Sequence, residues 1–326
     1  MAPRDDRDPL LDDSQCLVII FDIMPGGQFM DEFEKTILSW AEATSTGETK
    51  AAGNAALQAL ILATEEAFKN PDPSLLLMQE ADDLENKSAW SEAEAVRRKT
   101  LASAEADGNL GLLVKAQMDL CGLLRLLGRT DDAAPFACAA TASARRVGIL
   151  PLVVMALGCE AACALDQADS TRALAAATEA LKLIEPGKLH DGTRAKARTT
   201  RARCLLANGD PIAAGLELDE SWGPLQAHSA SWMAMMPGPI RAMGNWWEVK
   251  SQLEEQRGNL ENAQAALVQA INFRRRSEGP YALFALARAL ETSGGISRAT
   301  GDLAGEARSL NEAQSIRIGL HLPSGM

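Results

Sequence analysis

Residues 110–148, LGLLVKAQMDLCGLLRLLGRTDDAAPFACAATASARRVG, contain the clearest example of a pattern that recurs along the chain. In the first half, residues recur at steps of three and four, the spacing of one face of an α-helix; they are Leu113, Gln117, Leu120, Leu124 and Leu127. Gly128 interrupts this pattern, and glycine accommodates the left-handed conformation that ends many helices. Thr130, Asp131 and Asp132 follow, and their side-chain oxygens can accept hydrogen bonds from the free N–H groups of a second helix. The stretch therefore predicts a helix, a glycine-centred turn and a second helix.

The second helix carries a stripe of small residues, Ala133, Ala137, Ala140 and Ala144, on which another helix can pack closely. The signature of this pair, an alanine just inside the second helix behind a polar turn, recurs along the chain. The alanines are Ala93, Ala133, Ala173, Ala214, Ala263 and Ala307, spaced by 40, 40, 41, 49 and 44 residues. Their turns are Lys87-Ser88-Ala89, Gly128-Arg129-Thr130, Ala168-Asp169-Ser170, Gly209-Asp210-Pro211, Gly258-Asn259-Leu260 and Gly301-Asp302-Leu303. Six recurrences predict an array of helix pairs rather than a four-helix bundle.

These residues resemble the tetratricopeptide repeat (TPR) family, which places a small residue, a large apolar residue and a glycine turn ahead of an alanine in the second helix. The pattern is carried by Cys121, Leu124, Gly128 and Ala133, by Ala202, Leu205, Gly209 and Ala214, and in part by Ala81, Leu84, Ser88 and Ala93. The spacing of 40 or more exceeds the family's period of about 34. Leucine or alanine also occupies the usual aromatic position, so the resemblance is to a long-helix variant. It implies an all-α fold, an α-solenoid of antiparallel helix pairs in a right-handed superhelix whose first helices line a concave groove.

The resemblance divides the chain into three parts. About six TPR-like repeats occupy residues 75–320, and an irregular helix pair is expected at 28–70, because terminal repeats are often atypical. Residues 1–27 are expected to form a disordered tail. The tail contains the apolar segment 16–24, CLVIIFDIM, which either packs against the first helices or docks on a partner. Homo-oligomerisation through the N-terminal pair is also compatible with the sequence.

Composition limits the functional classes. Of the 326 residues, 47% are apolar, enough for a folded core, and the formal net charge is −12. This charge argues against general binding to nucleic acid or to an anionic membrane, where cationic side chains must neutralise phosphates. It is compatible with a basic partner or with simple solubility.

The cysteines and the N-terminus favour a cytoplasmic protein. Five of the six cysteines fall on apolar faces of predicted helices without a CxxC motif, which is typical of small core residues in a reducing compartment. The first fourteen residues carry more Asp than Arg, the wrong sign for a signal peptide, and the run 16–21 is too short to cross a bilayer.

The spacing of 49 residues marks an insertion between the fourth and fifth pairs. The stretch 221–247 holds four of the six tryptophans and four methionines. We expect either a long connection whose aromatic side chains fill the gap between pairs, or an apolar contact surface for a partner or ligand. The residues of that candidate surface are Trp222, Trp232, Met235, Met236, Trp246 and Trp247.

A basic cluster stands out in this acidic chain. The first helix of the fourth pair carries five basic residues within a segment of ten, and they are Arg194, Lys196, Arg198, Arg201 and Arg203. By the TPR resemblance, Lys115, Arg125, Arg288 and Arg298 face the same groove. Guanidinium groups suit carboxylates and phosphates, so an acidic peptide, a C-terminal carboxylate or a phosphorylated segment would be the ligand. The alternative is pairing with acidic residues of neighbouring repeats.

Motifs of catalysis are absent from the sequence. There is no Walker A, GxGxxG, HExxH or GxSxG pattern, and the three histidines, at 190, 228 and 321, lack the spacing of metal ligands. We therefore predict no cofactor, no metal and no enzymatic activity. The expected function is a protein-interaction scaffold that binds a protein or peptide in its groove. The alternative is a regulatory sensor that changes conformation when it binds a small ligand or signalling peptide.

Overall fold

The structure is a computed structural model that describes residues 73–184, 191–230 and 237–322. The chain divides into two compact units, Met1–Leu76 and Leu77–Met326. Only the start of one helix is described in the first unit. The predicted tail, residues 1–27, and the predicted helix pair, residues 28–70, lie outside the described residues.

Twelve α-helices occupy the described ranges, and they follow one another as six pairs. Their bounds are α1 Pro73–Asn86, α2 Trp90–Ala106, α3 Leu110–Leu126, α4 Thr130–Val147, α5 Leu150–Asp166, α6 Ser170–Leu183, α7 Asp191–Ala207, α8 Pro211–Ala230, α9 Pro237–Gln256, α10 Leu260–Arg275, α11 Pro280–Ala299 and α12 Leu303–Gly319. Odd-numbered helices are the first members of their pairs, and the five pairs from α3–α4 to α11–α12 each pack as a helical hairpin. None of these helices combines the length and the apolar character needed to cross a bilayer.

The turns inside the pairs share one backbone conformation. Gly128, Gly209, Gly258 and Gly301 have φ values of 71° to 80°, in the left-handed region where glycine carries no steric cost. Ser88 and Ala168 occupy the same place in the other two pairs, both with φ of 57°. In each turn the N–H of the left-handed residue and that of the following residue donate to carbonyl groups of the preceding helix. Gly128 N donates to Arg125 O at 3.0 Å, and Arg129 N donates to Leu124 O at 2.8 Å. The six turns fall where the sequence places them.

The expected capping role of Thr130, Asp131 and Asp132 is wrong. Helix α4 begins at Thr130, so these residues lie within its first turn, and its N-cap is Arg129 without a side-chain cap. Asp169 and Asp302 act as caps instead, and each accepts a hydrogen bond from the N–H three residues later.

Replacing Ala168 with glycine should raise the free energy of unfolding by about 1 kcal/mol, because a side chain in the left-handed region costs about 1–2 kcal/mol. Ala168 is exposed, so the change removes no core contact. Equilibrium urea unfolding followed by circular dichroism measures the change. Gly209→Ala is the converse substitution in the next pair, and it should lower the free energy of unfolding by a similar amount. Equal stabilities for both variants and the wild type would contradict this account of the turns.

Small residues allow close packing within the pairs. Ala93, Ala133, Ala173, Ala214 and Ala263 are fully buried, each three residues after the start of its helix. The sixth predicted alanine, Ala307, is exposed, because it lies four residues after the start of α12 and has rotated off the buried face. Buried Gly305 is the small residue at this contact.

The insertion in the fourth pair is largely helical rather than a long connection. Helix α8 continues to Ala230, through Gly223 and Pro224, inside the stretch for which the sequence offers a long connection. Leu218 and Leu225 are buried against α9 together with Trp246, and this packing outweighs the poor helix propensity of the Gly-Pro pair.

Cysteines mostly fill the core as expected. Cys121, Cys163 and Cys204 are buried, and the Sγ atoms of Cys121 and Cys159 lie 3.5 Å apart between α3 and α5. The exception is Cys138, whose thiol is exposed on α4, so its predicted place on an apolar face is wrong.

The unit Leu77–Met326 closes on itself, because its last helix pair contacts its first two. Trp90, at the start of α2, donates a hydrogen bond from Nε1 to the carbonyl oxygen of Leu320 at 2.7 Å. The contact is a buried apolar cluster, here called the closure cluster, of Trp90, Ala93, Leu123, Leu126, Leu320 and Leu322, with Phe284 and Ile316 packed against it. Regular repeats predict contacts between neighbouring pairs only, so this contact is visible only in the tertiary structure.

Two adjacent glycines in α11 should respond oppositely to alanine. A Cβ on Gly294 would lie 2.9 Å from Cδ2 and 3.0 Å from Cγ of Leu310 on α12, whereas a Cβ on Gly295 meets nothing within 4 Å. We expect Gly294→Ala to lower the stability by about 1–2 kcal/mol through overpacking. Gly295→Ala should raise it by about 0.5–1 kcal/mol through helix propensity. Urea unfolding of the two variants side by side tests this, and a stabilised Gly294→Ala variant would contradict the close contact.

Candidate functional site

Four of the first helices, α3, α5, α7 and α9, form one continuous layer. Helix α3 contacts α5, α5 contacts α7, and α7 contacts α9, although a second helix intervenes in the sequence each time. Among the described elements, successive second helices lack contacts of this extent. The array is therefore closer-packed on the side of these first helices, and we call this side the inner face.

One repeat position presents side chains on this inner face. Lys115, Lys196 and Arg288 each stand thirteen residues before the left-handed glycine of their own turn, at 128, 209 and 301. Leu75, Met155 and Asn245 hold the same position before Ser88, Ala168 and Gly258. Three of these six residues are cations, although the whole chain is acidic.

A pocket of about 350 Å³ opens between α7 and α9 at this level. We call it the cationic pocket, and its lining residues are Lys196, Thr199, Thr200, Arg203, Arg241, Ala242, Asn245 and Arg274. Four of the eight carry a positive charge and none carries a negative charge. Lys196 and Arg203 belong to the basic cluster of the sequence, while Arg241 and Arg274 come from the next pair.

Glu248 lies behind the cationic pocket and holds two of its guanidinium groups. Arg274 Nε donates to Glu248 Oε1 at 2.9 Å, and Arg274 Nη2 donates to Asn245 Oδ1 at 2.6 Å. Arg203 Nη2 reaches Glu248 Oε2 at 3.5 Å, and its Nε is buried without an acceptor. Arg274 is therefore fixed by good hydrogen bonds, whereas Arg203 retains unused donor capacity.

Positive charge accumulates in the cationic pocket beyond what Glu248 neutralises. Burial lowers the pKa of Arg203; Glu248 opposes this change, and the Arg274 and Arg288 cations add to it. Desolvation lowers the pKa of Lys196, and nearby Arg241 lowers it further. Burial is the largest cause of both shifts, and the neighbouring cations act in the same direction.

The other predicted cations mostly have partners inside the chain. On the opposite face of α7, Arg198 pairs with Glu217 at 2.7 Å and with Glu220, and Arg201 also pairs with Glu217. Lys115 pairs with Asp119 at 2.9 Å, Arg125 with Asp166 at 2.7 Å, and Arg298 with Glu306. Arg194 has a buried Nε without an acceptor in the described chain, and Arg288 is exposed. The basic cluster thus splits by helix face into paired residues and pocket residues.

Three tryptophans of the candidate apolar surface pack against one another. The ring centroids of Trp222 and Trp246 lie 4.3 Å apart, and those of Trp246 and Trp247 lie 4.9 Å apart. Trp246 is buried, and its Nε1 donates to Ser221 Oγ at 3.1 Å. Trp232, Met235 and Met236 lie outside the described residues.

Sequence reasoning missed Arg241, Arg274 and Glu248. Arg241 follows the Pro-Gly-Pro segment that was assigned to a connection, and Arg274 lies near the end of a second helix, which the TPR resemblance does not place in the groove. Asn245 could have been found, because it holds the repeat position of Lys196 and Arg288.

Comparison with solved structures agrees with the fold. A Rap protein complexed with competence and sporulation factor superposes with a TM-score of 0.60 over 94% of this chain and 84% of that chain, at 13% sequence identity. BtubC (BKLC) from P. vanneervenii has a TM-score of 0.46 and 17% identity, covering 74% of this chain and 95% of its own. A putative kinesin light chain of Podosopora anserina with TPR-like repeats has a TM-score of 0.40 and 13% identity, covering 63% and 94%.

No protein-family model matches the sequence, and no curated protein matches it. The helix pairs and the Rap superposition establish the fold as a TPR-like α-solenoid, which confirms the fold class predicted from the sequence.

Proposed function

We propose that this chain is a non-enzymatic interaction scaffold that binds a protein or peptide segment on the inner face of its first helices. The observation that carries the proposal is the continuous layer of α3, α5, α7 and α9, whose shared repeat position presents Lys115, Met155, Lys196 and Asn245. A continuous surface of this kind is what solenoid proteins use for binding extended ligands. The similar Rap protein, whose structure holds competence and sporulation factor, supports a peptide as the ligand.

The proposed contact residues follow from their placement. Lys196, Arg203 and Arg288 lie in or beside the cationic pocket, so they are the primary candidates for an acidic or phosphorylated segment. Lys115, Arg125, Arg194, Arg198, Arg201 and Arg298 remain secondary candidates, because binding through most of them would compete with ion pairs inside the chain. Trp222 and Trp247 are partly exposed beside the buried Trp246 and are the proposed apolar contacts.

A charge placed on the inner face tests this proposal. Met155 on α5 has 46% of its surface exposed, and Leu216 on α8 has 62% exposed, so either can accept aspartate without loss of a buried contact. Peptides are selected from a random display library against the wild-type chain, and their dissociation constants are measured by fluorescence anisotropy. We expect Met155→Asp to weaken binding by about tenfold or more, because apolar contacts at the centre of an interface dominate its affinity.

Leu216→Asp is the matched control on a second helix, away from the inner face. It should leave the dissociation constants unchanged. Selected peptides that bind both variants as tightly as the wild type would overturn the assignment to the inner face. Failure of the wild type to select any peptide would count against the scaffold itself.

A second candidate function is a regulatory sensor, and the closure cluster favours it. Rigid-body rearrangement at an interface is a common form of conformational switching, and the contact of Trp90 with Leu320 supplies such an interface. Small-angle X-ray scattering of the chain with and without a selected peptide tests it. A sensor should show a changed radius of gyration when the peptide binds. An unchanged scattering profile at saturating peptide would count against the sensor and favour the scaffold.

A further inference from the structure

We infer that the cationic pocket between α7 and α9 binds a phosphoryl group carried by a phosphorylated serine or threonine of the bound peptide segment. This inference rests on the proposed function, because it assumes that a segment lies along the inner face. It adds the chemical class of the group that anchors the segment.

The charge of the pocket sets the charge of its ligand. Lys196, Arg203, Arg241 and Arg274 contribute four positive charges, and Glu248 contributes one negative charge, so the set carries a net charge of +3. A single carboxylate would leave most of this excess in place. A phosphorylated side chain carries about −1.5 to −2 charges near pH 7 and therefore neutralises more of it.

Hydrogen-bond capacity is available on both walls of the pocket. Lys196 on α7 and Arg241 on α9 have no ion-pair partner within the part of the chain that the structure describes. Arg203 lines the pocket with 33% of its side chain exposed, and its ion pair with Glu248 is a long contact of 3.5 Å. Donors that approach from two walls suit a tetrahedral group with three acceptor oxygens better than a planar carboxylate.

The remaining residues explain how the site is held ready. Arg274 has only 6% of its side chain exposed and is fixed by Glu248 and Asn245, so it can present charge without a conformational change. Glu248 also reaches Arg203 and holds the two guanidinium groups side by side. A volume of about 350 Å³ is ample for a phosphoryl group and the Cβ that carries it.

The test uses three degenerate peptide libraries that differ only at a fixed central residue, which is phosphoserine, serine or glutamate. Dissociation constants of the enriched sequences are measured by isothermal titration on the full chain. We expect the phosphoserine form to bind at least tenfold more tightly than its serine counterpart. We expect the glutamate form to recover only a small part of that gain.

The double variant is Lys196→Gln with Arg241→Gln, and both residues are exposed to solvent. The control variant is Arg145→Gln on α4, outside the pocket. The gain from the phosphoryl group should vanish in the double variant and persist in the control. A gain that persists in the double variant would overturn the assignment to this pocket. An equal gain from glutamate would overturn the phosphoryl class.

Phenyl phosphate separates a peptide-borne group from a free small phosphate. If phenyl phosphate binds as tightly as the phosphopeptide, the segment contributes nothing and the peptide-borne source is wrong. If no library binds while phenyl phosphate still raises the melting temperature of the wild type alone, the proposed scaffold fails but the anion site stands. If peptides bind with no preference for phosphoserine, the scaffold stands and this inference fails.

Discussion

Replacing Arg97 with methionine is expected to lower the free energy of unfolding by about 3–5 kcal/mol, the typical cost of removing one partner from a buried ion pair. Arg97 on α2 and Glu85 on α1 each have 4% of the side chain exposed, and Arg97 Nε donates to Glu85 Oε1 at 2.9 Å. Arg97 also pairs with Asp119 on α3 at 3.2 Å and with Asp82 on α1. One guanidinium group therefore joins three helices and compensates several carboxylates.

A double substitution separates the loss of pairing from the loss of side-chain volume. Arg97→Met together with Glu85→Leu removes both buried charges, and replacement of a whole buried pair by apolar residues often costs little. We expect the double variant to be more stable than Arg97→Met alone in urea unfolding at pH 7. Equal losses in the two variants would mean that packing, rather than an uncompensated carboxylate, explains the effect.

Acid should partly rescue the Arg97→Met variant. Burial raises the pKa of Glu85, and Arg97 is the main opposing influence. Without Arg97 the pKa of Glu85 in the folded state rises further above its value in the unfolded state. The Glu85 carboxylate therefore takes up a proton more readily in the folded state than in the unfolded state. The stability of the variant relative to the wild type should therefore increase as the pH falls below that raised pKa. Urea unfolding at pH 7 and pH 5 measures the difference, and a penalty independent of pH would contradict this role of Glu85.

Replacing Trp90 with alanine should have the second large effect, because it removes the centre of the closure cluster. Loss of a buried tryptophan costs about 3–5 kcal/mol, and here it also removes the hydrogen bond to the carbonyl oxygen of Leu320. If the cluster holds the first and last helix pairs together, the variant should open while its helices stay intact. Small-angle X-ray scattering should show a larger radius of gyration with an unchanged far-ultraviolet circular dichroism spectrum.

Two further variants make the closure test specific. Trp90→Phe keeps an aromatic side chain but removes the donor and part of the ring volume, so it should cost about 2 kcal/mol, less than Trp90→Ala, and leave the dimensions unchanged. Leu303→Ala on α12 alters a leucine with 71% of its surface exposed and should change neither quantity. Unchanged dimensions in Trp90→Ala despite lower stability would show that other contacts are sufficient for closure.

Local residue chemistry predicted much of the repeat architecture. The signals for a turn, a glycine or polar residue, and for a helix–helix contact, an alanine, lie within a few consecutive residues. The six turns could therefore be predicted. The prediction failed where packing outweighs local preference. Helix α8 continues through Gly223 and Pro224 because Leu218 and Leu225 are buried. Ala307 is exposed because it lies four residues after the start of its helix, whereas the alanines of the other pairs lie three residues after theirs.

The candidate site could be predicted only in part. The density of basic residues in 194–203 drew attention to α7, but a register uncertain by one residue could not say which face is the inner one. The structure divides the cluster, with Arg198 and Arg201 paired to Glu217 and with Lys196 and Arg203 beside the cationic pocket. Arg241 and Arg274 join them because α9 and α10 pack next to α7, a relationship that no local pattern encodes.

The helix pairs and the fold class could be predicted from the sequence, because helix periodicity, turn chemistry and small-residue contacts are properties of short segments. The contact of Trp90 with Leu320 and the grouping of cations from three helices around one pocket are visible only in the tertiary structure. Those contacts join residues far apart in the chain, and they depend on the small rotation between successive helix pairs, which accumulates over the whole array.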